Sequence, residues 1–226
     1  MRFDSRLTKG EKLAALLYLP IHLLLLPIAV VLLAGNRGFD EAEMNFIVYA
    51  IGAVYMVLAL GRFFRRDFDP LCDRLPAVIF QVLGSYLIIM GLNTLLALLL
   101  LRVTGEMNPN NESIVSAAAE NSRAMTASAV FLVPIVEESM FRAGVFGTLR
   151  EKSRFAAYAV SILSFSLCHV MGFALENPLY LVYLIQYLPA SFMLCRCYEQ
   201  TGTIWAPIFL HMLVNSVSMG IIGGQG

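Results

Sequence analysis

Apolar stretches of about 20 residues, the length that crosses a bilayer as a helix, recur seven times along this chain. They lie at roughly 13–34, 44–64, 76–101, 124–149, 154–173, 178–197 and 203–222. In lipid every backbone N–H and C=O has to be satisfied inside the segment, so spanning apolar runs of this length are helices. The recurrence therefore predicts an all-α polytopic membrane helix bundle of about seven transmembrane helices, with residues 1–226 as a single membrane-embedded domain. Composition agrees: 58% of residues are hydrophobic and 14% charged, where a soluble domain carries about 25% charged residues. The first apolar run is too long for a cleavable signal peptide, and no small-x-small site follows it. Pro76 and Pro178 start segments, as suits a first helical turn. Pro134 and Pro207 fall inside segments and are expected to kink or loosen them.

The formal net charge is zero and no basic run of five or more occurs, which argues against a nucleic-acid partner. The basic residues are distributed unevenly between alternate connections. Arg2, Arg6, Lys9, Lys12, Arg62, Arg65, Arg66, Arg74, Arg150, Lys152, Arg154 and Arg196 fall on one side, twelve in all; Arg37, Arg102 and Arg123 fall on the other. The positive-inside rule then puts the N-terminus in the cytoplasm and the C-terminus outside. Trp205 sits near the cytoplasmic interface, a common place for an indole.

Against this apolar background the stretch VPIVEESMFR, residues 133–142, is anomalous. Each charge near the centre of a span costs roughly 2.5–3.5 kcal/mol on insertion scales, and three occur within six residues. At about 100° per residue, Glu138 and Arg142 lie about 40° apart, one turn along the same face, in the acid-before-base order that pairs well. Glu137 points elsewhere. One carboxylate is thus expected to be held by Arg142 and the other to be free toward an interior cavity. Two further clusters follow the same logic: Phe165 and His169 share a face in FSLCH, and His211 and Asn215 share one in HMLVN. His22 has no polar neighbour in sequence and reads as a hydrogen-bonding residue of the bundle.

Taken alone, the E-E-x-x-x-R cluster could equally be a structural ion-pair network. Three such clusters on three spans favour a common polar pocket, because each buried polar group without a use costs stability. Several hydrolytic signatures are missing: there is no H-E-x-x-H, no G-x-S-x-G and no intramembrane aspartate pair, since every aspartate (4, 40, 67, 69, 73) falls in a tail or connection. Cys168 lacks an orienting group for a nucleophile, and Cys72, Cys195 and Cys197 form no CxxC pair. The longest connection, about 102–123, is polar and ends in SIVSAAAENSR, which could form a short surface helix; connections of that length are lids in some proteins and plain linkers in others.

The three clusters, in this order, resemble the signatures of the CPBP family (CAAX proteases and bacteriocin-processing enzymes, or Abi proteins): E-E-x-x-x-R, F-x-x-x-H and H-x-x-x-N. The resemblance covers about 124–222, which it marks as the catalytic core. It implies an intramembrane glutamate-dependent endopeptidase acting on a membrane-associated peptide or protein, in a bacterial or archaeal cell membrane. By position, Glu137 would be the base that activates water with help from His169. His211 and Asn215 would stabilise the oxyanion, and Glu138, Arg142 and Phe165 would support them. No metal cofactor is expected, because Arg142 would repel a cation and Asn215 suits an oxyanion hole. A zinc-dependent version is the alternative. The competing classes are a non-catalytic regulator or immunity protein of the same fold and a small transporter, although no inverted repeat supports the last.

Overall fold

In the computed structural model, which describes residues 3–223, seven helices are long and apolar enough to cross a membrane. They are α1 (Lys9–Ala34), α2 (Glu41–Arg66), α3 (Leu75–Thr104), α5 (Ser122–Arg150), α6 (Arg154–Glu176), α7 (Pro178–Thr201) and α8 (Trp205–Gly223). Between α3 and α5 lies α4 (Pro109–Glu120), so the polar 102–123 connection is largely helical. Local signals fix the ends. Thr8 with Glu11 and Asp40 with Glu43 form capping boxes at the starts of α1 and α2, satisfying N–H groups that a helix start leaves orphaned. Gly105 and Gly202 close α3 and α7 in the left-handed region, at φ 78° and 69°, which a residue without Cβ adopts freely. Pro207 stands in the first turn of α8, where its missing N–H costs nothing; it does not kink the span.

α5 is the centre of the bundle, with 61% of its most apolar window buried against 11–33% for the other six spans. Its Val136, Met140, Phe141 and Phe146 pack with Met56, Leu60 and Phe63 of α2, Ile89 of α3 and Ile208 and Leu210 of α8. The outward faces carry exposed Leu32, Leu33, Leu58, Phe80, Leu87 and Leu98, a sheath that suits lipid and that a water-soluble monomer rarely shows. Packing in lipid rests on close approach rather than on the hydrophobic effect, and Gly52 shows it. A Cβ there would lie 3.1 Å from both the Tyr18 hydroxyl and Val136 Cγ2, so α1, α2 and α5 meet more closely than most side chains allow without a neighbour giving way.

One end of the bundle is tied by polar contacts among the N-terminal tail and alternate connections. Arg6 donates to Asp67 (2.9 Å) and to the Gly202 carbonyl (2.7 Å). Asp67 also accepts from the Ile204 N–H, and its carbonyl from the Thr203 hydroxyl (2.7 Å). Ser5 and Lys12 both donate to Glu151 at 2.6 Å. Burial opposes ionisation of Glu151, yet the Lys12 and Ser5 donors together hold its carboxyl below the usual range. Asp67 is the reverse case: burial dominates and lifts it to about 6 despite the Ile204 and Arg6 donors. At the other end Asn121 donates to Asp40 (3.2 Å) and Asn108 to Gln186 (2.9 Å) and Tyr187 (3.0 Å). This alternation is that of a seven-fold crossing. Arg2 lies outside the described residues.

Candidate active site

The E-E-x-x-x-R segment does not keep α-helical register. α5 is α-helical over Val133–Glu137 and then π-helical over Glu138–Phe146, all nine residues of the π stretch being buried. π stretches are rare and recur at functional sites. The wider turn keeps residues four apart adjacent, so the pair expected from 100° spacing still forms: Arg142 Nη1 lies 3.1 Å from Glu138 Oε1, with both side chains 0% exposed. The same oxygen is met by His211 Nδ1 at 2.8 Å. Arg142 further donates to the Ser191 hydroxyl (3.1 Å) and stacks its guanidinium 4.1 Å over the Phe165 ring. Phe165 packs edge-on against Phe141 and lies 4.6 Å from His169 and 6.1 Å from His211 between ring centres. Phe165 is thus the hub around which the arginine and both histidines are arranged.

Glu137 is held quite differently. It is 5% exposed, and Tyr49 of α2 donates to its Oε1 at 2.8 Å, while Oε2 has no hydrogen-bond partner in the protein. Glu138 Oε2 and Arg142 Nε are likewise unpartnered, so three of the six orphaned buried polar atoms among the described residues belong to this one motif. Buried polar groups are nearly always paired, and each exception calls for an explanation, a catalytic role among them. Glu137 is close enough to Cys168, the neighbour of His169, and to Tyr187 to act on both electrostatically. His169 donates through Nδ1–H to the Phe165 carbonyl (2.8 Å) and stacks on Tyr187 at 4.6 Å. Tyr187 is itself bonded by Asn108 from the α4 connection, which therefore closes over the histidine.

Asn215 is placed by a second irregularity in α5. Residues Ser128–Leu132 are π-helical, and the Val133 N–H bonds back to the Ser128 carbonyl. The next donor in that register would be residue 134, a proline with no N–H. The Ala129 carbonyl is thereby left without a backbone donor, and the Asn215 amide supplies one at 2.7 Å. Asn215 thus bridges α8 to α5 and shares no hydrogen bond with His211. His22, read from sequence as a hydrogen-bonding residue of the bundle, is placed as one: its Nδ1 is 3.4 Å from the Tyr18 hydroxyl and its ring lies edge-on to Tyr49 at 4.8 Å. Burial brought together what sequence distance hid. Cys168 Sγ also touches His169 Nδ1 at 3.3 Å.

A cavity of about 750 Å³ lies at the Arg6 end, lined by Arg74, Arg150, Arg154 and Glu199. It contains none of the motif residues and has no bearing on their chemistry. A smaller groove of about 310 Å³ between α1 and α2 reaches His22 and Tyr49, so Tyr49 separates it from Glu137. As for a metal, no three His, Cys, Asp or Glu side chains among the described residues converge as ligands. The Arg142 guanidinium, on Glu138 and over the Phe165 ring, puts a positive charge beside the histidines, which disfavours a cation there.

Residues 119–217 match the family model described as type II CAAX prenyl endopeptidase Rce1-like. A protein of Bacillus subtilis (strain 168) named "Putative membrane peptidase YdiL" is 34% identical over 84 residues, 37% of this chain. That alignment spans 31% of the relative's own length. No solved structure matches the chain. The match begins just before α5 and ends within α8, and so takes in every one of the motif residues. Through residues 119–217, then, the chain is similar to the Rce1-like CAAX prenyl endopeptidases, in line with the resemblance that its three motifs carry.

Proposed function

We propose that this integral membrane protein is an endopeptidase that cleaves a membrane-associated peptide or protein by glutamate-activated water, without a metal. The observation that carries the reading is the unequal treatment of two adjacent carboxylates. Glu138 is bound by Arg142 and His211, and Glu137 keeps a free oxygen. In this mechanism Glu137 Oε2 takes a proton from water, and the resulting hydroxide attacks the scissile carbonyl carbon with His169 assisting. The carbonyl π electrons move onto oxygen, then return to re-form C=O as the C–N bond breaks and the leaving nitrogen takes the proton that Glu137 removed from water. Facing Glu138 with Nδ1–H, a neutral His211 would present only a lone pair at Nε2. To donate to the oxyanion it must be imidazolium, and the Glu138 carboxylate stabilises that charge, as a buried carboxylate does for a catalytic histidine elsewhere. The fixed Asn215 amide has a second N–H for the same oxygen, and donors fixed in advance are effective in a water-poor site.

The family description suggests a prenylated CAAX-type substrate as the first probe. Protein reconstituted into liposomes is expected to release the C-terminal tripeptide from a farnesylated CAAX peptide, and Glu137→Gln is expected not to. An unprenylated copy of the peptide reports whether the lipid is required. If neither peptide is cleaved, the membrane proteome of cells carrying wild type is compared with that of cells carrying Glu137→Gln. Identical proteomes would leave the non-catalytic regulator as the better reading.

A further inference from the structure

We infer that Tyr49 is a positioning residue for the Glu137 carboxylate, so that α2, outside the segment matched to the family, completes the reacting constellation. The inference deepens the reading of Glu137 as base and rests on it. A glutamate's terminal torsion is broad and roughly two-fold, so a carboxylate without partners presents no fixed lone pair to a water. The Tyr49 hydroxyl, 2.8 Å from Oε1, makes the only hydrogen bond to Glu137 among the described residues. Holding one oxygen fixes the plane of the group and leaves Oε2, which has no partner, as the oxygen available for proton abstraction.

Tyr49 is in turn held rigidly. His22 lies edge-on to its ring at 4.8 Å and 68°. Tyr18, 3.4 Å from His22 Nδ1, stacks on Tyr55 at 4.2 Å and 14°. One turn beyond Tyr49, Gly52 lets α2 close on Val136, the residue before Glu137. A phenol that merely satisfied itself on the nearest acceptor would need no such backing, and it predicts a loss of stability alone when removed. Tyr55 provides the comparison: its hydroxyl donates to the Ala14 carbonyl at 3.2 Å in the same stack and does not touch Glu137.

The test uses full-length protein in liposomes with the farnesylated CAAX peptide. Tyr49→Phe is expected to lower kcat about 10- to 100-fold, the range in which small misplacements act, with KM little changed. Tyr55→Phe is expected to keep kcat. The infrared difference between wild type and Glu137→Gln isolates the Glu137 carboxylate band, and Tyr49→Phe is expected to move it. If Tyr49→Phe does not accumulate, 3-fluorotyrosine at position 49 preserves shape and hydroxyl and must move the same band. Wild-type kcat in Tyr49→Phe with an inactive Glu137→Gln overturns the inference, as does a band unmoved by both changes. An active Glu137→Gln would sink the base assignment instead; a shifted band would then still support Tyr49 as the group that holds this carboxylate, and an unshifted one would remove it.

Discussion

Glu138 shares a single oxygen between a fully buried Arg142 and a nearly buried His211, so its partners cannot be removed independently of the fold. Arg142→Ala leaves a buried carboxylate without its counter-charge, a change that typically costs about 3–5 kcal/mol; thermal unfolding in detergent should register it alongside lost cleavage. Glu137→Gln keeps shape and the Tyr49 contact, so melting should hold while cleavage of the probe peptide falls by at least about 10²-fold. Turnover like that of wild type would remove Glu137 as the base. Asn215→Ala should lower both melting and kcat, because one N–H holds Ala129 and the other is assigned to the oxyanion. If turnover per folded molecule is intact, the residue is only a bridge. These residues were legible from spacing, since charged groups inside an apolar run have few places to go. Tyr49 was not legible: nothing distinguishes it in sequence from the other eight of nine tyrosines, and only the packing of α2 on α5 gives it a carboxylate.

Element by element, hydropathy located the spans well, because insertion into lipid depends on length and apolarity, which sequence displays directly. It could not reveal that α1 and α5 leave α-register, since an apolar residue is equally apolar in a π turn. Proline does leave a trace. Pro27 follows the π stretch Ile21–Leu25, and Pro134 follows Ser128–Leu132. In each case the missing N–H falls where the next i→i+5 bond would form. Close approach is the second property that a sequence shows poorly. Gly52→Ala should push α2 from α1 and α5, costing roughly 1–3 kcal/mol as overpacking does, and should reduce kcat by moving Tyr49. Gly84→Ala, where nothing lies within 4 Å of the new Cβ, should be neutral in both. Equal effects of the two substitutions on unfolding and turnover would discard the close-approach argument.

For the molecule as a whole, the tail, the 67–74 turn, Glu151 and the 202–204 link share one end, and the arginine and lysine excess proposes that end as cytoplasmic. A C-terminal reporter should then be read outside the cell; a cytoplasmic reading would reverse the assignment. Elemental analysis of active protein should find no stoichiometric zinc, and recovery of chelated enzyme by zinc would favour the metal alternative. The same end sets a pH dependence. Burial raises Asp67 from 3.8 to about 6, so between those values the folded state holds a proton that the unfolded chain has released. Stability linked to this group is full below about pH 4 and is lost as pH rises through about 6, by about 3 kcal/mol. Relative to wild type, Asp67→Asn should flatten that slope in unfolding measured from pH 4 to 7, and parallel slopes would refute it.

Asp67 also has a place in time. Its partners are made at opposite ends of synthesis: Arg6 leaves the ribosome before it, and the Ile204 N–H comes 137 residues later. Until the 202–204 link that leads into α8 is delivered, the acid at the end of α2 lacks the Ile204 N–H, and the tail lacks its Gly202 carbonyl. The closing contacts of the bundle therefore report that the last helix has arrived. A chain truncated before Gly202 lacks both the Ile204 N–H that Asp67 accepts and the carbonyl to which Arg6 donates, so the two ends of the contact come undone together.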